Sequence, residues 1–289
     1  MYLLKPYDDA LQEILDNGIP RTNQRTGIKT LSIFGMCKRY RLDTEFFPIV
    51  TRRKMWPSAV FSELVWFLSG STNNNDLKEL GCNFWTPWIS EKFTKENHFE
   101  PDVFGPVYGF QLRHFGGNYN KGIHQDPGYG FHGIDQLAWA VEEIKRDPSS
   151  RRIVWSLWNP QDLPQMRLPP CHLLLQLCVD DSRKMTGILY QRSADFPIGV
   201  PANIQFYSAL VTMLSQQTDC TPYELVHMTA DSHIYENQID AVKEYLGSPV
   251  VNSPRVLIKQ AKDIFSYCPE DFIIQDYNCG PKIEVPVSV

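Results

Sequence analysis

The sequence predicts an α/β fold on a mixed sheet, and three observations carry that expectation. Apolar residues recur at helical spacing in some segments and run together or alternate in others, so helices and strands are interleaved along the chain. The strand-like runs His172 to Val179 and Met185 to Ser193 are separated only by Asp180-Asp181-Ser182-Arg183-Lys184, a hairpin signal that places antiparallel pairing in the sheet. No Pro/Gly/Ser linker divides two apolar halves and no regular crossover repeat is visible, so one domain over residues 1–289 is the expected organisation.

The helices are predicted from spacing and from their ends. Tyr7, Ala10, Leu11, Ile14 and Leu15 make one face of an opening helix that Gly18 stops. Pro57 can start a second, in which Val60, Phe61, Leu64, Val65 and Leu68 form an apolar face before Gly70, and Glu63 then sits inside a greasy helix. A third is expected from Ile134 to Lys145 and a fourth from about Tyr235 to Leu246. The uncharged run Phe196 to Thr218 approaches the roughly 20 residues of a membrane span, but its prolines and amides make it a loop entering a buried helix. Further strands are expected at Leu31 to Tyr40 and Arg152 to Trp158. The stretch His114 to Gly133, rich in Gly, Asn and Tyr without periodicity, reads as a loop insertion.

Composition narrows the function classes. With 43% hydrophobic and 12% aromatic residues among 289, the chain can bury a large core, which excludes a disordered chain and a small stapled scaffold. The balance of 28 Lys and Arg against 33 Asp and Glu gives no general attraction to nucleic acid. Seven cysteines, odd in number and never spaced CxxC, argue against a disulfide framework or a zinc site and for a reducing, cytoplasmic setting. The N-terminal residues lack the apolar stretch of a signal peptide.

Several residues can carry chemistry. Cys171, in LPPCH, follows two prolines and opens the first strand of the hairpin, at a sheet end where a reactive group can meet solvent. A turn centred on Asp181 and Ser182 places Arg192 opposite it, about 5 Å away, and a nearby cation favours the thiolate. Arg151 and Arg152, in SSRR, and the pair Arg192-Ser193 have the forks and hydroxyl that match a phosphate monoester, although adjacent arginines also serve as a solvated face. Asn203 is either a helix cap or a carboxamide whose donor and acceptor read the N3–H and O4 of uracil. His233 and Tyr235 share one face if their segment is extended, as a ribose-binding pair would, or else mark a helix start; no metal-ligand spacing surrounds His233.

Taken together, the motifs RTGIKTLSIFG, SELVWFLSGSTN, FGPVYGFQLRHFG, PSSRRIVWSLWNPQDLPQMRLPPCH, LYQRSADFPIGVPANI, DSHIY and VPVSV resemble the folate-dependent thymidylate synthase family over nearly the whole chain. The resemblance implies a mixed sheet flanked by helices, with sheets packed back to back in a homodimer. It implies that Cys171 adds to C6 of dUMP and that 5,10-methylenetetrahydrofolate is the cosubstrate, with dTMP and dihydrofolate as products and no metal, membrane or nucleic acid needed. Arg25, Arg192 and Ser193, with Arg151 and Arg152 of the other subunit, would hold the phosphate. Asn203 would select uracil, and His233 with Tyr235 would hold the sugar. Glu63, its pKa raised by an apolar setting, would relay protons, and Tyr108 would help remove the C5 proton. His172, Gln191 and Asp231 would orient this network. Folate would lie near Trp85, Ile198 and Gly199, with Asp195 bonding the pterin and Val289 closing the site.

The sequence departs from the family pattern at Ala202, Leu112, Ala194 and Trp56, all toward the folate side. These departures keep an alternative open: a hydroxymethylase in which water replaces hydride, giving 5-hydroxymethyl-dUMP. A dCMP-specific enzyme is disfavoured, since cytosine suits an acidic side chain better than Asn203. A silent nucleotide- or RNA-binding homologue would have no use for Cys171.

Overall fold

A computed structural model of the chain describes residues 1–22, 24, 27–119 and 133–287. Arg25, Val289 and residues 120–132 of the expected insertion lie outside the described residues. In chain order the elements are α1 (Lys5–Asn17), β1 (Ile19–Thr22), β2 (Lys29–Arg41), α2 (Pro57–Ser69), α3 (Asn74–Glu79), α4 (Glu91–Asn97), α5 (Tyr108–His114), α6 (Gln136–Arg146), β3 (Val154–Ser156), β4 (His172–Val179), β5 (Lys184–Asp195), α7 (Gly199–Gln217), β6 (Thr221–Tyr235), α8 (Ile239–Gly247), β7 (Arg255–Ile258) and β8 (Phe272–Gln275).

Among the described residues, six strands form one mixed sheet in the order β1-β2-β6-β5-β4-β3. Only β5 and β6 run parallel; the other neighbours are antiparallel. The parallel pair requires a crossover, and α7 supplies it. Because α7 lies between the sheet and α2, it is buried on nearly every side, which is why the sequence there carries so little charge. Gln205, in its middle, donates to the Pro57 carbonyl at 2.7 Å and ties α7 to the start of α2. The strands β7 and β8 form a separate two-stranded hairpin.

The expected helices form, with instructive differences at their ends. Gly70 closes α2 in the left-handed conformation, φ 81°. Gly18 follows α1 but is extended, φ −64°; glycine is required there because a Cβ would stand 2.4 Å from the Ile14 carbonyl oxygen and 2.8 Å from Leu31. The fourth helix starts only at Ile239, because Tyr235 completes β6. The alternative reading of Asp231 to Tyr235 as a helix start is corrected: the whole segment is strand, paired with Phe34 to Thr30 of β2 and, through Asp231 and His233, with Ser193 and Asp195 of β5. The strand expected at Arg152 to Trp158 shortens to β3, since Arg151 and Arg152 belong to the turn after α6.

This topology brings chemistry to one edge. β5 and β6 run parallel, so Arg192 to Asp195 and Asp231 to Tyr235 share the carboxyl end of the sheet, where α7 begins. β4 is antiparallel to β5, so Cys171, just before β4, stands at the same end.

Candidate active site

The thiol is set by its neighbours on β5 and α5. Arg192 N–H donates to the Cys171 carbonyl at 2.8 Å. The Arg192 guanidinium is held from behind, Nε donating to the Pro170 carbonyl at 2.8 Å and Nη2 to the Pro169 carbonyl at 2.9 Å. Nη2 then stands 3.9 Å from Cys171 Sγ. The two prolines expected to stiffen the backbone therefore also anchor the cation. On the other side, Cys171 N–H donates to Tyr108 Oη at 2.7 Å. Tyr108 opens α5, stacks on Phe67 at 4.7 Å, and is kept a neutral phenol because burial pushes its pKa well up.

A second group reads as a recognition chain. Gln191 Nε2 donates to the Ser193 carbonyl at 2.9 Å and to Asn203 Oδ1 at 3.1 Å. A carbonyl only accepts, so this fixes the amide of Gln191, and its Oε1 faces His227 Nε2 at 2.8 Å. Burial pushes His227 down to about 3 and His172, beside Asn203, down to about 4, so both rings are neutral. Asn203 lies inside the first turns of α7, whose cap is Ile198, so the simple cap reading of Asn203 is corrected. Its Oδ1 is occupied by the Gln191 amide.

Glu63 projects from α2 into an aromatic wall. Trp85 Nε1 donates to its Oε1 at 2.6 Å, and Trp85 packs edge-on against Tyr108 at 5.8 Å. Burial among these rings pushes the Glu63 carboxyl up to about 7. Asp195 is likewise raised by burial, with His233 and Gln238 pulling the other way; its Oδ1 accepts the Ile198 N–H at 3.2 Å. Ile198 and Gly199 start α7 beside it, half-buried. The departures divide by burial: Leu112 and Ala194 are buried, Ala202 packs against the core, and Trp56 is 54% exposed.

His233 Nδ1 lies 3.3 Å from the Asp231 carbonyl and 3.4 Å from its Oδ1, and its ring meets Tyr235 edge-on at 5.1 Å. Asp231 pairs with Arg21 at 2.5 Å. Burial works against its charge, but His233 and Arg21 together hold its carboxyl below the usual range. Ser193 sits beside Arg192 on β5, across from Asp231.

Not every expected residue joins this group. Arg151 and Arg152 are exposed in the turn between α6 and β3, their main chain tied to Gln176, Ser150 and Val154. Sequence reading also missed residues. His227 is buried in an apolar stretch, Gln238 is buried after β6, and Arg53 donates to the Pro197 carbonyl at 2.5 Å. Only Arg53, a charge beside the Trp56 segment, left a trace that could have been followed. Among the described residues, no cluster of three or more His, Cys, Asp or Glu could hold a metal ion, and no helix is long and apolar enough to cross a membrane.

The fold and this edge define an α/β enzyme with a candidate cysteine nucleophile. A family model described as thymidylate synthase matches residues 5–289. The chain is 40% identical over 287 residues to thymidylate synthase of Homo sapiens, covering 98% of this chain and 90% of that protein. It is equally 40% identical over 287 residues to thymidylate synthase of Equine herpesvirus 2, covering 98% and 96%. Against the bifunctional dihydrofolate reductase-thymidylate synthase of Paramecium tetraurelia it is 38% identical over 286 residues, 98% of this chain but only 61% of that longer protein. The chain belongs to the thymidylate synthase family of methyltransferase-type enzymes. Membership with relatives so named does not favour the hydroxymethylase alternative.

Proposed function

We propose that the chain converts dUMP to dTMP, with 5,10-methylenetetrahydrofolate as cosubstrate and dihydrofolate as the second product. One observation carries this reading: Cys171, Arg192 and Asn203 meet at one sheet end, each held by main-chain or buried partners. Cys171 Sγ adds to C6 of the pyrimidine, and the nearby Arg192 cation favours the thiolate that does so. Asn203, its Oδ1 turned to Gln191, offers its amide hydrogens to O4. Glu63, near half-ionised at neutral pH, gives and takes the proton on that side of the ring. Tyr108, beside the Cys171 main chain, relays the C5 proton. Arg192, Ser193, Arg25, and Arg151 and Arg152 from a second copy hold the phosphate, in a cytoplasmic homodimer; the exposure of Arg151 and Arg152 in this chain supports their crossing. His233 and Tyr235 hold the sugar.

The residues present fit a reduced folate. The Asp195 carboxylate, half-buried and bonded by the Ile198 N–H and Gln238, suits the N–H edge of a pterin, and Trp85, Ile198 and Gly199 offer an apolar wall, with Val289 the further residue assigned to the folate. When bound, the folate supplies the one-carbon unit and the hydride. Tritium release from C5 of tritiated dUMP tests the reading: release that requires the folate and Cys171 is expected, and no release from the wild-type protein overturns it.

A further inference from the structure

One buried carboxamide joins three parts of the site. Gln238 is fully buried in the turn between β6 and α8. Its Oε1 accepts the Tyr235 N–H at 3.0 Å. An N–H only donates, so this contact fixes which way the amide faces. Nε2 donates to the Pro286 carbonyl at 2.9 Å and approaches Asp195 Oδ1 and Oδ2 at 3.4 and 3.3 Å. Carbonyl and carboxylate both only accept, so all three partners agree on one orientation. The amide has one hydrogen for the tail and one for the carboxylate.

These partners come from separate places in the chain. Tyr235 ends β6, Asp195 ends β5, and Pro286 lies in the C-terminal segment that follows the buried Ile283. We propose that Gln238 is a positioning residue of the reaction, holding the C-terminal segment at Pro286 against the end of β5 and fixing the Asp195 carboxylate for the pterin. This rests on the folate reading of Asp195 above. The base and phosphate of the nucleotide are held elsewhere, at Cys171, Arg192 and Asn203, and the Gln238 amide bonds the sugar-holding Tyr235 at its main-chain N–H, so loss of the clamp falls mainly on the folate side.

Two variants separate this role from packing. Gln238→Met keeps the length and removes every hydrogen bond, while Gln238→Glu keeps the acceptor for Tyr235 N–H and removes the amide hydrogens. For each, steady-state kinetics with dUMP and methylenetetrahydrofolate are paired with hydrogen–deuterium exchange of residues 282–287. Loss of a buried bond to a charged acceptor predicts a folate KM raised about tenfold, with dUMP KM within about twofold. It also predicts faster exchange of residues 282–287 in both variants. Unchanged exchange, or unchanged folate KM with faster exchange, overturns the proposal. Equal rises in both KM values with a lowered Tm overturn it too, since they mark a merely structural residue. If the wild-type protein does not consume the folate, the reading of the site fails by itself; unchanged exchange would then still overturn the clamp.

Discussion

Arg192 Nη2 stands 3.9 Å from Cys171 Sγ because one extra residue in β4 sets the register between them. From Leu174 to Val179 the hairpin pairs Leu174 with Tyr190 and Val179 with Met185, a register that, continued, would bring Cys171 opposite Ser193. A bulge between His172 and Leu174 shifts it, pairing His172 with Gln191 and Cys171 with Arg192. The Leu173 carbonyl, inside the bulge, is taken by the Leu157 N–H at 2.8 Å. A local irregularity in one strand thus puts a cation beside the thiol.

Replacing that cation should blunt the thiol without unfolding the strand. Arg192→Gln is expected to slow alkylation of Cys171 by iodoacetamide at neutral pH by about tenfold or more, because the thiolate loses a positive charge 3.9 Å away. Mass spectrometry of the Cys171 peptide over time measures it. An unchanged rate would mean that Arg192 does not activate the thiol.

Glu63 makes a signed prediction about stability and pH. Its carboxyl is raised from 4.5 to about 7 by burial, so the folded state holds the proton more tightly than the unfolded chain. Stability from this group is fully present below about 4.5 and is lost as pH rises toward about 7, with a span on the order of 3 kcal/mol. Glu63→Gln stays neutral and escapes this loss. The Tm of Glu63→Gln relative to wild type should therefore climb between pH 5 and pH 8 in thermal melts, roughly following that titration, while turnover falls. A Tm difference independent of pH would mean that Glu63 titrates normally.

Asn203→Asp is expected to move preference from dUMP toward dCMP. The carboxylate accepts where the amide donated, which suits the N4–H₂ of cytosine and opposes the O4 of uracil. The ratio of kcat/KM for the two nucleotides reads this directly; an unchanged ratio would remove Asn203 from the recognition chain.

Gly105 tests how Tyr108 is placed. At φ 78°, a Cβ on Gly105 would stand 1.9 Å from the Gln165 carbonyl oxygen, and its own carbonyl accepts the Val107 N–H at 2.7 Å just before α5. Gly105→Ala is expected to cost about 3 kcal/mol or more, seen as a lower denaturant midpoint, since backbone strain and clash add. A neutral effect would mean that the loop before Tyr108 yields easily.

Much of the site was legible because its signals are local. LPPCH, the short turn at Asp180 to Lys184 and Arg192 are all close in sequence, but the strands pair about Ser182 rather than about Asp181 and Ser182 as expected, and the bulge at Leu173, which the sequence does not announce, returns Arg192 to its place opposite Cys171. β6 was not legible, and even its last five residues stood open between an extended segment and a helix start. It is a central strand whose buried positions include His227, Thr229, Ser232 and His233, so the apolar alternation that marks a half-buried strand is missing. Helix α5 was hidden for a related reason: Gly109 and Gln111 occupy buried positions, Gln111 by donating to the Pro106 carbonyl at 2.9 Å and to Asp162 at 2.7 Å. Gln238 is silent in sequence because its role comes from Asp195 and Pro286, which folding alone brings together.

In the proposed reaction Cys171 starts a one-carbon transfer to dUMP that ends in reduction. Purified protein is mixed with dUMP and methylenetetrahydrofolate, dihydrofolate is followed by absorbance, and the nucleotide product is weighed by mass spectrometry, with Cys171→Ser alongside. dTMP and dihydrofolate are expected in equal amounts, both absent in Cys171→Ser. A hydroxymethyl product without dihydrofolate, or turnover that survives Cys171→Ser, would contradict that expectation.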